Sequence, residues 1–519
     1  MIYYEDFGAV GDGVTNDFFA IRKAHEAANA RGEKISAAAG KCYYVKMTEG
    51  TPIVIKTDVS WHGAEIIIDD TELSAVNPET YPSCDIFRVE NDYPTLELDA
   101  ENPYVKALNL KSPVIEKNGK TKKLDLGLGY PALLIVFNDE NSQYLRNGAS
   151  FNGQGAPQKE IFAIDAEGNI DERTPALFDY EKITRITVIR SDTKPICIEG
   201  GTVTTLASQA QNEEGNYREV AHGFMIARPN TVMAGVKHYI KNQRFKGEIV
   251  NGKPFFGDSV GGFYKVNCAT NVEIRDCFAT PRIQYSASYE IILHHANDVR
   301  LVRVRESEET YNDIRYWWIM GSNFCKNISY DDCYLSRFDA HCGVYNVKIT
   351  NSTVASLRLT GGGDFIIENS TVKTKAYGHD TFIMLREDYG STWHGNIYIK
   401  NCLFDNIAES KKLECVKLIF GEWRNHYFGY RTFVPNLYID NLSFAERLGV
   451  KQLKIFSIAN KDADLPSVSN FALPDFSGVA NKNVYTAPEE ISIKNLQTGV
   501  EFSLDSSGFF SGVRFENEK

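Results

Sequence analysis

Acidic, imidazole and guanidinium side chains recur between residues 337 and 424, on strand-like segments and in the turns after them. Asp339 and His341 occupy alternate positions of one segment, so in a strand both would project from the same face. Glu387 and Asp388 follow a later segment. Glycoside hydrolysis uses two carboxyl groups, one as the acid and one as the base or nucleophile. The sequence therefore predicts Asp339, His341, Glu387 and Asp388 as catalytic residues, with the imidazole orienting a carboxylate or sharing in proton transfer.

Guanidinium and aromatic side chains near these positions predict substrate binding. Arginines bind sugar hydroxyls or a uronate carboxylate through paired hydrogen bonds, and aromatic faces stack on sugar rings. The predicted substrate-binding residues are Arg337, Arg358, Arg386, Trp317, Tyr389, Trp393 and Glu422. Each group also has a structural explanation, namely a solvated salt-bridge face for the charged residues and a hydrophobic core for the tryptophans.

Short apolar segments that start after Asn or Asp recur along the second half of the chain. Their starts are 27, 29, 19, 18, 32 and 40 residues apart, and such repeats are typical of stacked coils with variable loops on one side. Polar pairs follow several segments, and we expect left-handed turns and hydrogen-bonded Asn ladders there. The segments start at Asn271, Asp298, Asn327, Asn346, Asp364, Asn396 and Asn436.

A second strand-like segment precedes these starts, and the second segments are expected side by side in one parallel sheet. They are Tyr289–His294, Tyr316–Met320, Phe338–Cys342, Ser356–Leu359, Thr381–Arg386 and Val416–Phe420. Residues two coils apart in such a sheet are separated by about 9.6 Å. Asp339 and Glu387 or Asp388 would then lie near the carboxyl separation of an inverting glycosidase, about 6.5–9.5 Å. A one-residue slip in register would turn each side chain to the other face.

The N-terminal segment carries the most specific motif. It reads Asp6-Phe7-Gly8-Ala9-Val10-Gly11-Asp12-Gly13 and is followed by a helical pattern from Phe18 to Ala28 and a Gly40-Lys41-Cys42-Tyr43 strand. Asn16 or Asp17 is placed to cap the helix and Gly32 to end it. This stretch resembles the N-terminal signature of the pectate-lyase-like superfamily.

The resemblance implies an all-β fold, a single-stranded right-handed parallel β-helix whose first coil is covered by an N-terminal capping helix. It supplies no catalytic residue, because the polygalacturonase elements are missing. Asp331-Asp332 sits at a predicted corner, and Ala340-His341-Cys342 matches a Gly-His-Gly element only loosely. No convincing set of the acidic calcium ligands of pectate lyases is present either.

Residues 97–180 differ from the coil pattern. Turn-type segments at 116–120 and 165–169 separate alternating strands, and this arrangement predicts hairpins. We interpret 97–180 as an antiparallel β insertion within one parallel β-helix domain that covers 1–519. The insertion would either form one wall of a cleft or be inert decoration.

The composition limits the possible partners. The formal net charge is −12, which argues against nucleic-acid binding because that function needs a basic surface. No apolar run is long enough to span a membrane. The ten cysteines lack zinc-site spacing and are expected as buried free thiols, so no metal or other cofactor is predicted.

Met1 is followed by a segment without a basic and then apolar signal pattern. A cytoplasmic location is therefore expected, or a secreted one if a leader has been removed.

Three functions fit this sequence. The first is a glycoside hydrolase that cleaves a polysaccharide or oligosaccharide, and the second is a polysaccharide lyase that acts on a uronate by β-elimination. The third is a non-catalytic carbohydrate-binding or phage-appendage protein. All three imply a carbohydrate chain as the partner, and the chain is expected as a monomer or a homotrimer.

Overall fold

Parallel strand pairing dominates the architecture. The protein is described by a computed structural model over residues 1–48, 50–72, 85–146, 155–207, 216–220, 222–245, 247–250, 252–254, 256–260, 262–283, 289–375, 380–407, 412–421, 428, 430, 432–458, 485–504 and 513–518. Strands of one coil pair in parallel with the equivalent strands of the next. This is the predicted all-β parallel β-helix. The described residues include no helix that is long and apolar enough to cross a membrane.

The chain divides into two units. The first comprises Met1–Pro94, Ile189–Gly321 and Cys333–Leu335, and the second comprises Thr95–Val188, Ser322–Asp332 and Ser336–Lys519.

Three stacks of parallel strands form the first unit. One contains Ile2–Tyr3, Ile35–Ser36, Val59–Ser60, Ile196–Glu199, Thr231–Ala234, Thr270–Arg275 and Asn297–Val302. Another contains Asp12–Asn16, Cys42–Val45, Glu65–Asp69, Thr202–Leu206 and Lys237–Lys241. The third contains Ile53–Ile55, Asp85–Glu90, Gly223–Ala227, Tyr264–Asn267 and Ile291–His294.

The N-terminal helix Phe18–Arg31 buries the apolar face that its spacing predicts, and Gly32 ends it in a left-handed conformation. Asn16 accepts a hydrogen bond from the amide of Phe18 at 3.2 Å. Asp17 instead accepts the amides of Val10 and Gly11 at 2.7 and 3.1 Å. The acidic residue therefore fastens the glycine-rich turn to the start of the helix.

The prediction of a parallel coil strand at Tyr316–Met320 is wrong for Tyr316–Trp318. This segment pairs antiparallel with Arg282–Ile283, and the parallel strand begins later, at Met320–Asn323. A short apolar run has no periodicity that separates a hairpin strand from a coil strand. The remaining elements of the first unit are the helix Glu308–Asn312, the 3-10 turn Tyr4–Phe7, and the strands Asn216–Val220, Ile249–Val250, Lys253–Pro254, Phe256–Val260 and Tyr334–Leu335.

Several strands of the second unit are long, and their N-terminal and C-terminal halves belong to two different faces of the coils. The first face pairs Phe338–Thr350, Leu357–Glu368, Thr381–Leu385, Cys415–Gly421, Gln452–Ile458 and Glu501–Ser503. The second pairs Lys326–Asp331, the C-terminal halves of Phe338–Thr350 and Leu357–Glu368, then Trp393–Asn406, Asn436–Phe444, Glu490–Leu496 and Arg514–Glu518. The shorter elements are Thr353–Val354, Thr371–Thr374, Thr432–Phe433, Tyr485–Thr486 and the 3-10 turns Glu387–Tyr389 and Glu446–Leu448.

The Asn ladders form as expected. Asn351 and Asn401 adopt positive φ at their corners, and Asn401 donates to Asn369 at 3.1 Å while Asn441 donates to Asn401 at 3.0 Å. The side-chain amide of each asparagine donates a hydrogen bond to the side-chain oxygen of the asparagine in the neighbouring coil, so these residues contribute to coil stacking.

An antiparallel sheet of four strands, here called the insertion (residues 95–188 of the second unit), precedes these coils. Its strands are ordered Ala156–Ile164, Ala132–Gln143, Arg185–Arg190 and Leu96–Asp99, with the helix Pro103–Leu108 beside them. Buried residues such as Val105, Leu134, Phe162 and Tyr180 give it a hydrophobic core of its own.

Candidate functional site

An alternating chain of charges, here called the ion network, gathers several of the predicted site residues. It consists of Arg337, Asp339, Arg386, Asp388 and Arg146. Asp339 is bonded by Arg337, and Arg386 donates to it at 2.9 and 3.2 Å. Arg386 also donates to Asp388 at 2.8 and 3.1 Å. Arg146, from the insertion, donates to Asp388 at 2.7 Å.

Burial of Asp339 differs from the sequence expectation. Its partner in register is Arg358, which is half-buried. However, Asp339 has no exposed surface, and Arg337 and Arg386 are only 1% and 7% exposed. The spacing of residues in the sequence shows on which face of a strand a side chain lies, but not which residues cover that face. Asp339 therefore lies beneath arginines and not on an open surface.

The arginines keep both aspartates of the ion network ionised. Burial alone would raise the pKa of Asp339, but the charges of Arg386 and Arg337 outweigh burial and hold the pKa well below its ordinary value. Burial would also raise the pKa of Asp388, but the charge of Arg386 and its hydrogen bonds outweigh burial and lower that pKa. Both carboxyl groups are therefore ionised near neutral pH, whereas a general acid must be protonated.

His341 lies at the edge of the ion network. Its Nδ1 is 2.7 Å from the side-chain oxygen of Asn323, and its ring meets Tyr389 edge-on with centroids 5.4 Å apart. Burial and the charge of Arg386 lower the pKa of His341 to about 3. This imidazole is therefore neutral under ordinary conditions.

The other predicted residues are dispersed. Trp317 belongs to the first unit and is 7% exposed. Trp393 is fully buried, and its indole donates to the carbonyl of Gly363 at 3.0 Å, so it offers no face to a ligand. Glu387 is exposed on its 3-10 turn. Glu422 lies outside the described residues.

Aromatic residues join the insertion to the coils beside the ion network. Tyr144 packs edge-on against Phe178 and Phe324, with centroid distances of 5.8 Å in both cases. Tyr430 lies 4.8 Å from Tyr144 and donates its hydroxyl to the carbonyl of Tyr389 at 2.5 Å. The predicted binding residue Tyr389 is thus part of a packed cluster and is 6% exposed.

A buried lysine makes a second connection. Lys326, on a coil strand, donates to the carbonyl of Pro175 at 2.6 Å and to Glu160 at 3.1 Å. Glu160 in turn accepts the amides of Leu177 and Phe178 at 2.8 and 3.1 Å. Burial lowers the pKa of Lys326 and raises that of Glu160, while their mutual attraction opposes both shifts. This pair therefore fixes the shape of the segment 174–178.

A cleft of about 500 Å³ opens between this segment and the coils. The insertion contributes residues of 118–122 and 170–177, and the coils contribute residues at 345, 363–364 and 394–396. Sites for small ligands commonly have about 300–1,000 Å³. The ion network, the aromatic cluster and Lys326 all join the insertion to the coils that line the cleft.

Gly363, the last of three consecutive glycines in the strand Leu357–Glu368, lines the cleft. Gly362 lies between Tyr345 and His394 in register, one coil from each. Gly363 has φ of 78°, and a Cβ there would lie 2.7 Å from the Tyr345 ring. A side chain at this position is therefore excluded, and the Tyr345 ring lies over the backbone of the next coil.

Carboxylates occur on both walls of the cleft. Asp364 takes the place of an asparagine in a ladder, with one oxygen accepting from Asn396 at 2.9 Å. Its other oxygen has no hydrogen-bond partner among the residues that the structure describes. Asp171, on the insertion, is bound by Arg173 at 2.8 Å. Burial opposes ionisation of Asp171, but the bonds from Arg173 outweigh it and lower the pKa.

His394 adds an unused imidazole to the cleft. Its ring stacks on Phe433 with centroids 3.9 Å apart and an interplanar angle of 15°. Within the described part of the chain, no hydrogen bond reaches its ring nitrogens. Burial, followed by the charge of Lys117, lowers its pKa.

The sequence alone assigned no functional role to Tyr345 and Asp364. A usable signal was present in Gly361-Gly362-Gly363, because glycines inside a strand mark a close approach of backbone, side chain or ligand. The insertion, for which the sequence left a cleft wall and inert decoration as alternatives, lines the cleft with residues of 118–122 and 170–177.

Comparisons with known proteins agree on the fold. No protein-family model matches the sequence. A KL64-specific capsule depolymerase of Klebsiella phage P510 is 33% identical over 103 residues, which are 18% of this chain and 10% of that protein. The chain thus spans about a tenth of the length of this curated relative.

Two solved structures cover nearly the whole chain. The tailspike of Acinetobacter baumannii bacteriophage AP22, solved with a capsular saccharide, has a TM-score of 0.51 and 10% identity over 99% of this chain and 79% of its own. The tailspike of Pseudomonas phage phi297 has a TM-score of 0.50 and 9% identity over 99% and 83%. At these identities the likeness concerns the β-helical fold alone.

Proposed function

We propose that the protein binds a polysaccharide in the cleft and cleaves it. The observation that carries this proposal is a preformed cleft of about 500 Å³ with polar and ionisable groups on both walls. Such a volume holds a few sugar residues, and the amides, carboxylates and imidazole are groups that bind hydroxyls. The named activity of the Klebsiella phage relative, capsule depolymerisation, supports the same class of substrate.

The ion network has a different role in this proposal. Asp339 and Asp388 are both held ionised by arginines, so this pair lacks the protonated member that hydrolysis needs. Since Asp388 bonds Arg146 of the insertion, we assign the network to positioning the cleft wall. The catalytic assignment of Asp339, His341, Glu387 and Asp388 stays a prediction that variants can test.

Hydrolysis has one specific observation in its favour. Asp364 on the coils and Asp171 on the insertion both line the cleft; the lowered pKa of Asp171 suits the base, so Asp364 would have to be the acid. An inverting mechanism uses such an arrangement.

A matched pair of variants tests the location of the activity. Lys122 lines the cleft, whereas its neighbour Lys123 is not among the lining residues. Both side chains are exposed, so neither replacement disturbs a core. Lys122→Trp is expected to weaken polysaccharide binding at least about tenfold, which corresponds to 1.4 kcal/mol, and Lys123→Trp to leave it unchanged.

The assay combines calorimetric binding with the release of reducing ends across a panel of bacterial capsular polysaccharides. Equal binding by the two variants would place the saccharide elsewhere. If the wild-type protein binds but produces no shorter chains from any polymer that it binds, the proposal of cleavage is wrong and a binding protein remains.

A further inference from the structure

A buried histidine connects the N-terminal helix Phe18–Arg31 to the first coils. His25 has no exposed surface, and its Nε2 is 3.0 Å from the hydroxyl oxygen of Tyr4. The indole of Trp61, which is also fully buried, donates to the same oxygen at 2.8 Å. These three side chains, here called the cap chain, form a continuous line of hydrogen bonds from the helix to the coils beneath it.

The hydrogen bonds of the cap chain determine where its protons lie. An indole N–H can only donate, so the oxygen of Tyr4 accepts from Trp61. The hydroxyl proton of Tyr4 then points to Nε2 of His25, which gives each donor of the tyrosine and the tryptophan an acceptor. Nε2 is therefore unprotonated, and the neutral imidazole carries its proton on Nδ1. Nδ1 is buried and has no hydrogen-bond partner among the residues that the structure describes.

Protonation of His25 would disrupt the cap chain. Nε2 would become a donor, so two N–H groups would face the oxygen of Tyr4, and the hydroxyl proton would lose its acceptor. A buried cation is also costly unless an anion compensates it. Burial raises the pKa of Tyr4 well above its ordinary value, so the phenol stays neutral and cannot be that anion.

Carboxylates of the 3-10 turn packed against the helix are bound elsewhere. Glu5 accepts the hydroxyl of Tyr43 at 2.7 Å, and Asp6 accepts the amide of Tyr3 at 3.1 Å. The strands that pack on the helix have apolar or hydroxyl side chains, and they are Ile2–Tyr3, Ile35–Ser36 and Ile53–Ile55. The surroundings of His25 are therefore those of a neutral core.

The charged residues of the helix and its N-cap also face other partners or solvent. Asp17 binds amides of the glycine-rich turn. Glu26 lies 3.5 Å from Arg22, and Lys23 and Arg31 are exposed. Burial thus acts unopposed on the imidazole and lowers the pKa of His25 to about 3.

We infer that the helix Phe18–Arg31 is an acid-sensitive cap, which is released from the first coils when His25 gains a proton. In the open cap the imidazole is in water and has the ordinary histidine pKa of about 6.5. Below that pH the open cap binds a proton that the closed cap excludes, so the equilibrium shifts towards opening until the pH reaches the pKa of the closed state. Opening exposes the apolar face of the helix, which includes Phe18, Ile21 and Ala24.

Amide hydrogen exchange of the full chain at pH 7 and pH 5 tests this inference. With a histidine pKa of about 3 in the closed cap and about 6.5 in the open one, the open fraction should rise about 25-fold between these two conditions. After correction for the intrinsic exchange rates, the protection factors of the amides in Phe18–Arg31 should fall by the same factor.

Two variants separate the imidazole from other effects of acid. His25→Gln keeps a side-chain oxygen that can accept the hydroxyl of Tyr4 but cannot gain a proton. Its protection factors should change by less than about threefold, because ordinary carboxyl groups titrate below pH 5. His62→Gln is the matched control, since the side chain of His62 is 66% exposed, and it should keep the full change of wild type.

The change with pH decides the matter, so a variant of lower overall stability still gives an answer. Protection factors in wild type that are equal at pH 7 and pH 5, or a fall in His25→Gln as large as in wild type, would overturn the inference. A second measurement needs no variant. Nitrogen NMR of the labelled imidazole at pH 7 should find the proton of His25 on Nδ1, and a proton on Nε2 would contradict the cap chain on which the inference depends.

Discussion

Replacing Asp339 by Asn is expected to destabilise the second unit and to loosen the insertion. The carboxylate is fully buried and is shared by Arg337 and Arg386. An amide of the same size keeps the shape but removes the negative charge. Two nearly buried guanidinium groups, 1% and 7% exposed, then lose this shared counter-charge, while Arg386 keeps its bonds to Asp388.

The magnitude follows from the burial. Breaking a buried ion pair by removing one partner costs about 3–5 kcal/mol, because an uncompensated charge remains in a medium of low polarity. At 1.4 kcal/mol per tenfold change, the opening equilibrium of this region should rise by about two to three and a half orders of magnitude. Glu387→Gln, at an exposed position one residue from the network, should change stability by less than about 0.5 kcal/mol.

Amide hydrogen exchange is a suitable assay, since it reports local opening without requiring two-state unfolding of a long chain. In Asp339→Asn, faster exchange is expected in the strands Phe338–Thr350 and Ala132–Gln143. The contribution of Asp339 also has a pH signature. Its pKa is lowered in the folded state, so its stabilisation is present above about pH 4, the ordinary value for aspartate, and is lost as pH falls towards the folded pKa.

One result would refute this reasoning. If Asp339→Asn exchanged like wild type at neutral pH but no longer cleaved a substrate, the carboxylate would act in the chemistry and not in the seating of the insertion. The catalytic prediction made from the sequence would then be the correct one.

Two further expectations concern the cleft. Lys326→Met should destabilise the docking of the insertion by about 3–5 kcal/mol, because Glu160 would be left buried without its cation. Limited proteolysis detects this loosening. A double variant that also has Glu160→Leu should recover much of the lost stability. Gly363→Ala should weaken saccharide binding, since its Cβ would lie 2.7 Å from the Tyr345 ring; unchanged calorimetric binding would contradict that.

Local patterns in the sequence were sufficient for the coil architecture. The Asn or Asp at each strand start and the left-handed corners depend only on a residue and its neighbours, and the structure has them where the spacing places them. The order of the coils likewise placed Arg358 one coil after Asp339, while the structure supplied their register. The helix Phe18–Arg31 and its terminal glycine follow from propensity and capping, which are also local.

The sequence by itself therefore determined the β-helical fold and the strands on which charged residues lie. Only the tertiary structure decided that Asp339 is covered, that Trp393 is buried and that Tyr345, Asp364 and His394 line one cleft. The physical reason is that the docking of the insertion joins residues far apart in the chain, as in the bond from Arg146 to Asp388. Burial, and with it the ionisation of each group, depends on such contacts and leaves no periodic trace in the sequence.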